Sequence, residues 1–261
     1  MQTHTSYCNG LYYEAAGAGE AVLFIHGFSL DTRMWDDQFE MFAQHYRAIR
    51  LDLRGFGKTP PPQSEYAHVD DIKTLLGELG EEKAHIVGLS MGGGIALDLA
   101  ITYPQIVRSL VLVDSALGGF PYKASFGVGA KEAGLEVAKG RWLAHPLFAP
   151  ANRNPLVGSR LVKMVTDYSG WHWLNRDPGR VPDPLPYHRL GEVKAPTLVI
   201  IGELEVPDFQ AIADFLAREI RGARKVVIQG AGHMSNMEAP EKFNEVVLDF
   251  LSTHTSTPLS G

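Results

Sequence analysis

Apolar runs of strand length, such as "AVLFI" at 21–25 and "TLVII" at 197–201, recur along the chain with longer amphipathic stretches between them. No other feature restricts the fold as much. Short apolar runs punctuated by Gly and Pro, alternating with helix-length segments, mark a mostly parallel sheet flanked by helices. Strands are read at Ala21–Gly27, Tyr46–Leu53, Ala84–Leu89, Ser109–Asp114, Pro196–Gly202 and Lys225–Gly230. An edge hairpin is expected over 5–15, because Asn9-Gly10 suits a type I′ turn. Helices are expected over Thr32–Gln44, Val69–Leu79, Met91–Tyr103, Phe209–Ile220 and Pro240–Leu251.

The alternation breaks between 115 and 195. Three of the four tryptophans, Trp142, Trp171 and Trp173, fall there, with Tyr122, Phe126, Phe148, Tyr168, Tyr187 and a proline-rich exit, "DPGRVPDPLP". This segment reads as a mainly helical insertion joining two core strands. Most of its aromatics are expected to form a small core of their own. The polar end "STHTSTPLSG" is expected to be disordered.

Composition narrows the partners. Of 261 residues, 45% are hydrophobic and 21% charged, enough for one large core or a core with an inserted subdomain. A formal charge of −6 offers no basic field for a phosphate backbone, so nucleic acid is not an expected partner. No apolar run approaches the ~20 residues of a membrane span. The start, "MQTHTSYCNG", lacks the charged and apolar regions of a secretory signal, and the lone Cys8 excludes an internal disulfide, so a cytoplasmic protein is expected. H-E-x-x-H is absent, one cysteine cannot build a thiolate cluster, and "GLSMGGG" lacks the lysine of a phosphate loop. Neither metal nor cofactor is expected.

Chemistry concentrates at Gly88-Leu89-Ser90-Met91-Gly92, which fits G-x-S-x-G. A read strand precedes it and the helix-forming "IALDLAITY" follows, as a sharp strand-to-helix turn exposing a serine hydroxyl requires. Side chains at the two glycine positions would collide with the strand and helix on either side. A helix start also directs backbone N–H groups towards developing negative charge. The five residues alone would equally suit a glycine-rich helix start without chemistry; the flanking elements favour the nucleophile.

A serine hydroxyl needs a base. Of ten histidines, His233 in "QGAGHMSNMEAP" sits best, in a small-residue loop between the last read strand and the last helix. His26 in "HGF" suits loop shaping, and His85 is buried in the strand before Ser90. His172, between two tryptophans, reads as packing; His4, His45, His68, His145, His188 and His254 lack a catalytic context.

With "HGF" at 26–28, "DLRGFGKT" at 52–59, "GLSMGG" at 88–93, "YP" at 103–104, "LVLVDSA" at 110–116 and "GAGH" at 230–233, the chain resembles the α/β-hydrolase fold superfamily, in its lid-bearing branch of small esterases and lactonases. The resemblance implies a mostly parallel, eight-stranded α/β sheet flanked by helices. Its core would be residues 1–114 and 196–252, with a helical cap over 115–195 and a disordered tail at 253–261. It implies Ser90 as nucleophile, His233 as general base, and an oxyanion hole from the backbone N–H groups of Met91 and Phe28. Related dehalogenases and epoxide hydrolases carry Asp where Ser90 stands. Arg54 in the "DLRGFG" loop is expected to support structure near the site.

The acid departs from the usual pattern. The family's slot after the penultimate strand is Gly202-Glu203-Leu204-Glu205, so it holds Glu205 rather than Asp, with a methylene that shifts the carboxylate by over an ångström unless the loop adjusts. Asp208, otherwise a cap for the next helix, and Asp114, otherwise a partner for nearby backbone N–H groups, are alternative acids. The expected activity is hydrolysis of small to medium carboxylic esters through an acyl-enzyme. Trp142, Trp171, Met234 and Met237, with Phe28, Met91 and other aromatics of the insertion, would shape an apolar substrate pocket. The same residues suit lactone opening, carbon–carbon bond hydrolysis or acyl transfer to peroxide. A ligand receptor on this scaffold, with little turnover, is the reading from another class.

Overall fold

The computed structural model describes residues 3–255, and β1 (His4–Cys8) and β2 (Leu11–Ala16) open it as a hairpin. Asn9 and Gly10 turn the chain with φ of 49° and 78°, the left-handed pair that a type I′ turn needs. β3 (Ala21–Ile25), β4 (Arg47–Leu51), β5 (Ala84–Leu89), β6 (Val107–Val113), β7 (Thr197–Gly202) and β8 (Arg224–Ile228) complete an eight-stranded sheet in the order β1-β2-β4-β3-β5-β6-β7-β8. β2 pairs antiparallel with β1 and β4; every later pairing is parallel.

Every residue of β3, β5 and β7 is buried. Parallel strands need crossovers that place helices over both faces, and such strands can be apolar throughout. Each Val, Leu or Ile so enclosed contributes about 1.5–3 kcal/mol relative to exposure. At the open edge β8 begins with exposed Arg224 and Lys225, charges that oppose pairing with another chain.

α1 (Asp36–Phe42), α2 (His68–Glu78) and α3 (Met91–Thr102) follow the early strands. The helix expected from Thr32 begins instead as a 3-10 turn over Thr32–Trp35, because Asp31 accepts the Arg33 N–H as its N-cap, and becomes α-helical only at Asp36. Pro104 cannot continue α3, which ends at Thr102.

Between β6 and β7 lie α4 (Ala130–Ala133), α5 (Leu135–Leu143), α6 (Ala149–Arg153), α7 (Pro155–Asp167) and α8 (Trp171–Leu174), and no strand of the sheet. α7 starts where Asn154 accepts from the Leu156 and Val157 N–H groups, with Pro155 at the first position where its missing N–H costs nothing. One parallel bridge, Tyr66 to Gly179, ties the exit of this segment to the core. α9 (Pro207–Glu219), α10 (Ser235–Glu238) and α11 (Pro240–Ser252) close the fold. Among the described residues no helix is long and apolar enough to cross a membrane. Of the tail expected to be disordered, 256–261 lie outside the described residues, whereas Thr253 and His254 turn back onto the end of α11 through hydrogen bonds to Phe250 and Leu251.

Candidate active site

The corner between β5 and α3 places Ser90 at φ 56° and ψ −117°, a conformation that costs a non-glycine residue about 1–3 kcal/mol. The surrounding backbone enforces it. Ser90 donates its N–H to the Val113 carbonyl at 2.9 Å, and its own carbonyl accepts from Ala116 at 2.9 Å. A Cβ on Gly88 would lie 2.2 Å from the Gly92 carbonyl oxygen, and one on Gly92 would lie 2.2 Å from that of Ile25 in β3. Both flanking glycines are therefore steric necessities. Gly88→Ala is expected to cost about 3 kcal/mol by overpacking rigid backbone, seen as a fall in melting temperature of about 10 °C.

The loops after β7 and β8 bring the other two predicted groups together. The Leu204 N–H donates to the Ala231 carbonyl at 2.8 Å, and the Glu203 N–H to that of Ile228 at 3.0 Å. Glu205 Oε2 then meets His233 Nδ1 at 2.5 Å, while Oε1 accepts the Val206 N–H at 2.6 Å. Both side chains are fully or almost fully buried. A proton on Nδ1 donated to the carboxylate leaves Nε2 as the acceptor. Beneath the loop, Glu238 accepts the N–H groups of Gly232 and Met234 at 2.9 and 3.0 Å, fixing the chain on both sides of the imidazole.

Burial would lower the His233 pKa, but the Glu205 carboxylate, with Asp114 and Glu238 behind it, outweighs burial and raises it above the ordinary 6.5. Proton abstraction needs the neutral ring, so kcat/KM is expected to fall as pH drops through that raised value, with a midpoint above 6.5 in the pH–rate profile. Stability has the opposite sign. Protonation of His233 favours the folded state, a contribution complete below the unfolded-state pKa and lost as pH rises through the folded one.

The two alternative acids are engaged elsewhere. Asp114, in left-handed backbone at φ 42°, accepts the Gly202 N–H at 2.8 Å and the Ser235 hydroxyl at 2.6 Å. Burial, then the charge of Glu205, pushes its carboxyl well above the usual carboxylate range. It braces β7 and α10, one step behind the Glu205–His233 pair. Asp208 does not cap its own helix: Oδ2 accepts the N–H groups of Lys123 and Ala124 at 2.9 and 2.7 Å, pinning the start of the insertion to α9.

Ser90 and His233 open onto one cavity of about 440 Å³, within the range of small-molecule sites. No hydrogen bond joins the hydroxyl to the ring among the described residues. Phe28 and Met91 also line it. His26 holds the Phe28 loop: its Nε2 accepts the Leu53 N–H at 3.0 Å, and its Nδ1 lies 2.8 Å from the Gly27 carbonyl. Arg54 is a structural clamp, forked onto Asp71 away from the cavity wall. His172 stacks on Phe56 with centroids 4.3 Å apart, a packing role.

Trp142 and Met234 stand in the cavity wall; Trp171 and Met237 do not. α8 is a single turn, so residues two apart face nearly opposite ways, and Trp173 reaches the cavity in place of Trp171. Met237 is packed in the core. Of the other insertion aromatics, expected mostly to pack among themselves, Tyr122, Phe126, Phe148 and Trp173 also border the cavity beside the expected Trp142. Sequence reasoning passed over Asp98, which also borders it. The signal was a lone charge in the apolar "IALDLAIT", eight residues after Ser90. Among the described residues no group of three or more side chains is arranged to hold a metal ion.

Comparison with known proteins agrees with this architecture. The family model of the alpha/beta hydrolase fold matches residues 20–240. The chain is 30% identical over 263 residues to a 2-hydroxy-6-oxononadienedioate/2-hydroxy-6-oxononatrienedioate hydrolase of Paraburkholderia xenovorans, covering 93% of this chain and 90% of that protein. A thermophilic esterase from Thermogutta terrifontis superposes with a TM-score of 0.82 at 27% identity, over 98% of this chain and 100% of that one. The enol-lactonase from Burkholderia xenovorans gives 0.81 at 25%, over 95% and 99%.

Proposed function

The chain belongs to the alpha/beta hydrolase fold family, and on that premise we propose that it hydrolyses small to medium carboxylic esters through an acyl-enzyme on Ser90. The observation carrying this reading is that a serine on a strained corner and an imidazole buttressed by a buried carboxylate open onto one apolar cavity. Ser90 Oγ attacks the ester carbonyl while its proton passes to His233 Nε2; the Ser90–His233 bond forms as substrate closes the site, as often happens when a free enzyme takes up its ligand. The oxyanion is received by the Met91 and Phe28 N–H groups, each worth about 10²–10³ in rate. His233 returns the proton to the departing alcohol. Water, deprotonated by the same nitrogen, then releases the acid and restores the serine.

Residues 115–195 act in this reading as a cap whose aromatic wall holds the hydrocarbon part of the substrate. The resemblance to an enol-lactonase supports a second substrate of the same chemistry, a lactone whose ring oxygen is the leaving group. A panel of p-nitrophenyl esters of rising acyl length, with lactones alongside, tests both. Ser90-dependent turnover is the expected result; no turnover of any ester or lactone would leave the receptor reading standing.

A further inference from the structure

Ser90, Gly94 and Asp98 are four residues apart on one face of α3, and all three border the cavity. Gly94 has no side chain, so the face stays open between the other two. At 1.5 Å rise per residue, the Asp98 backbone lies about 12 Å beyond Ser90 along the helix. Few polar atoms in the wall are uncommitted. Trp142 Nε1 donates to Ser29 Oγ at 2.7 Å, Tyr122 receives the Leu117 N–H at 3.0 Å, and His233 Nδ1 is taken by Glu205.

Asp98 differs. Its carboxyl makes no hydrogen bond among the described residues, and no Lys or Arg borders the cavity. Among the described residues the cation acting on it, Arg189, works through charge while its guanidinium is forked onto Glu192 at 2.8 and 3.1 Å. Burial, against that weak pull, raises the Asp98 pKa to about 7. A half-buried carboxyl bordering an apolar chamber without a hydrogen-bond partner is costly, and a donor on a ligand relieves that cost.

We propose that Asp98 is a specificity-determining residue that receives a hydrogen-bond donor, hydroxyl or ammonium, at the end of the substrate remote from the scissile bond and rejects a carboxylate there. The inference takes the reacting end from the ester-hydrolase reading and adds the chemistry of the other end. A hydrogen bond to a charged group is worth about 10- to 100-fold in discrimination.

The test uses octanoyl-length p-nitrophenyl esters ending in methyl, hydroxyl, amino or carboxyl, and a second series carrying the same groups on the alcohol. Assays at about pH 8 keep the carboxyl mainly ionised. The wild type is expected to prefer amino or hydroxyl over carboxyl by about 100-fold in kcat/KM in one series. Asp98→Asn should shrink that ratio to within about fivefold, and Asp98→Leu should favour the methyl ester. An unchanged charge preference in Asp98→Asn overturns the proposal. Should no ester be turned over, the hydrolase reading fails alone: thermal shifts of the Ser90→Ala protein with octylamine and with octanoate then decide. Asp98-dependent stabilisation by the amine upholds the proposal, and equal shifts from both overturn it.

Discussion

Ser90→Ala is expected to lower kcat towards p-nitrophenyl butyrate by about 10⁵-fold while leaving the fold intact. The size follows from the corner. Ser90 sits on the strained turn and lines the same cavity as His233, so in the proposed mechanism its removal abolishes the acyl-enzyme rather than weakening it. In that mechanism what would survive is the proposed oxyanion N–H pair and substrate binding, together worth roughly 10³–10⁴ over water in systems of this kind. A pre-steady-state burst of one p-nitrophenol per chain should vanish with the hydroxyl. Retention of a burst, or of more than about a hundredth of wild-type kcat, would place the nucleophile elsewhere.

Glu205→Gln should cost about 10³–10⁴-fold in kcat. In the proposed mechanism the carboxylate, 2.5 Å from Nδ1, fixes the proton there and stabilises the imidazolium that forms during attack. An amide can instead donate to Nδ1, which turns Nε2 into an N–H that cannot accept the serine proton. Loss of the negative charge also removes what raises the His233 pKa, so the acid limb of the pH–rate profile should move down. The same contact reverses a concern raised by the extra methylene: here it brings the carboxylate into reach. Glu205→Asp should therefore retract it and lower kcat by about 10²-fold, consistent with a misplacement of an ångström. Asp114→Asn, which retains a partner for Gly202 and Ser235, should cost less than about tenfold. A larger loss from Asp114→Asn than from Glu205→Gln would transfer the acid's role to Asp114.

The strands were legible because β3, β5 and β7 are enclosed on both sides, so burial writes itself into consecutive residues. The 3-10 opening before α1 was harder to see, since one cap hydrogen bond from Asp31 delays the helix without altering its hydrophobic spacing. Ser90 and His233 were marked by local patterns with steric content. Asp208 misled because a short-range capping preference gave way to partners at Lys123 and Ala124, which only the folded chain brings near. Ring direction in the insertion was also beyond local reasoning: Trp171 and Trp173 are equally apolar, and one short turn decides which of them meets the cavity. Asp98 was visible in principle, its four-residue spacing from Gly94 and Ser90 needing only the helix period.

The packing over Gly232 ties the insertion to the His233 loop. A Cβ at that position would lie 2.5 Å from the ring of Pro150 in α6, so the proline edge rests directly on the turn before His233. Under the proposed mechanism, exchanging this segment for a foreign one would thus alter proton-transfer geometry along with substrate choice, unless the donor also supplied an equally snug roof for that turn.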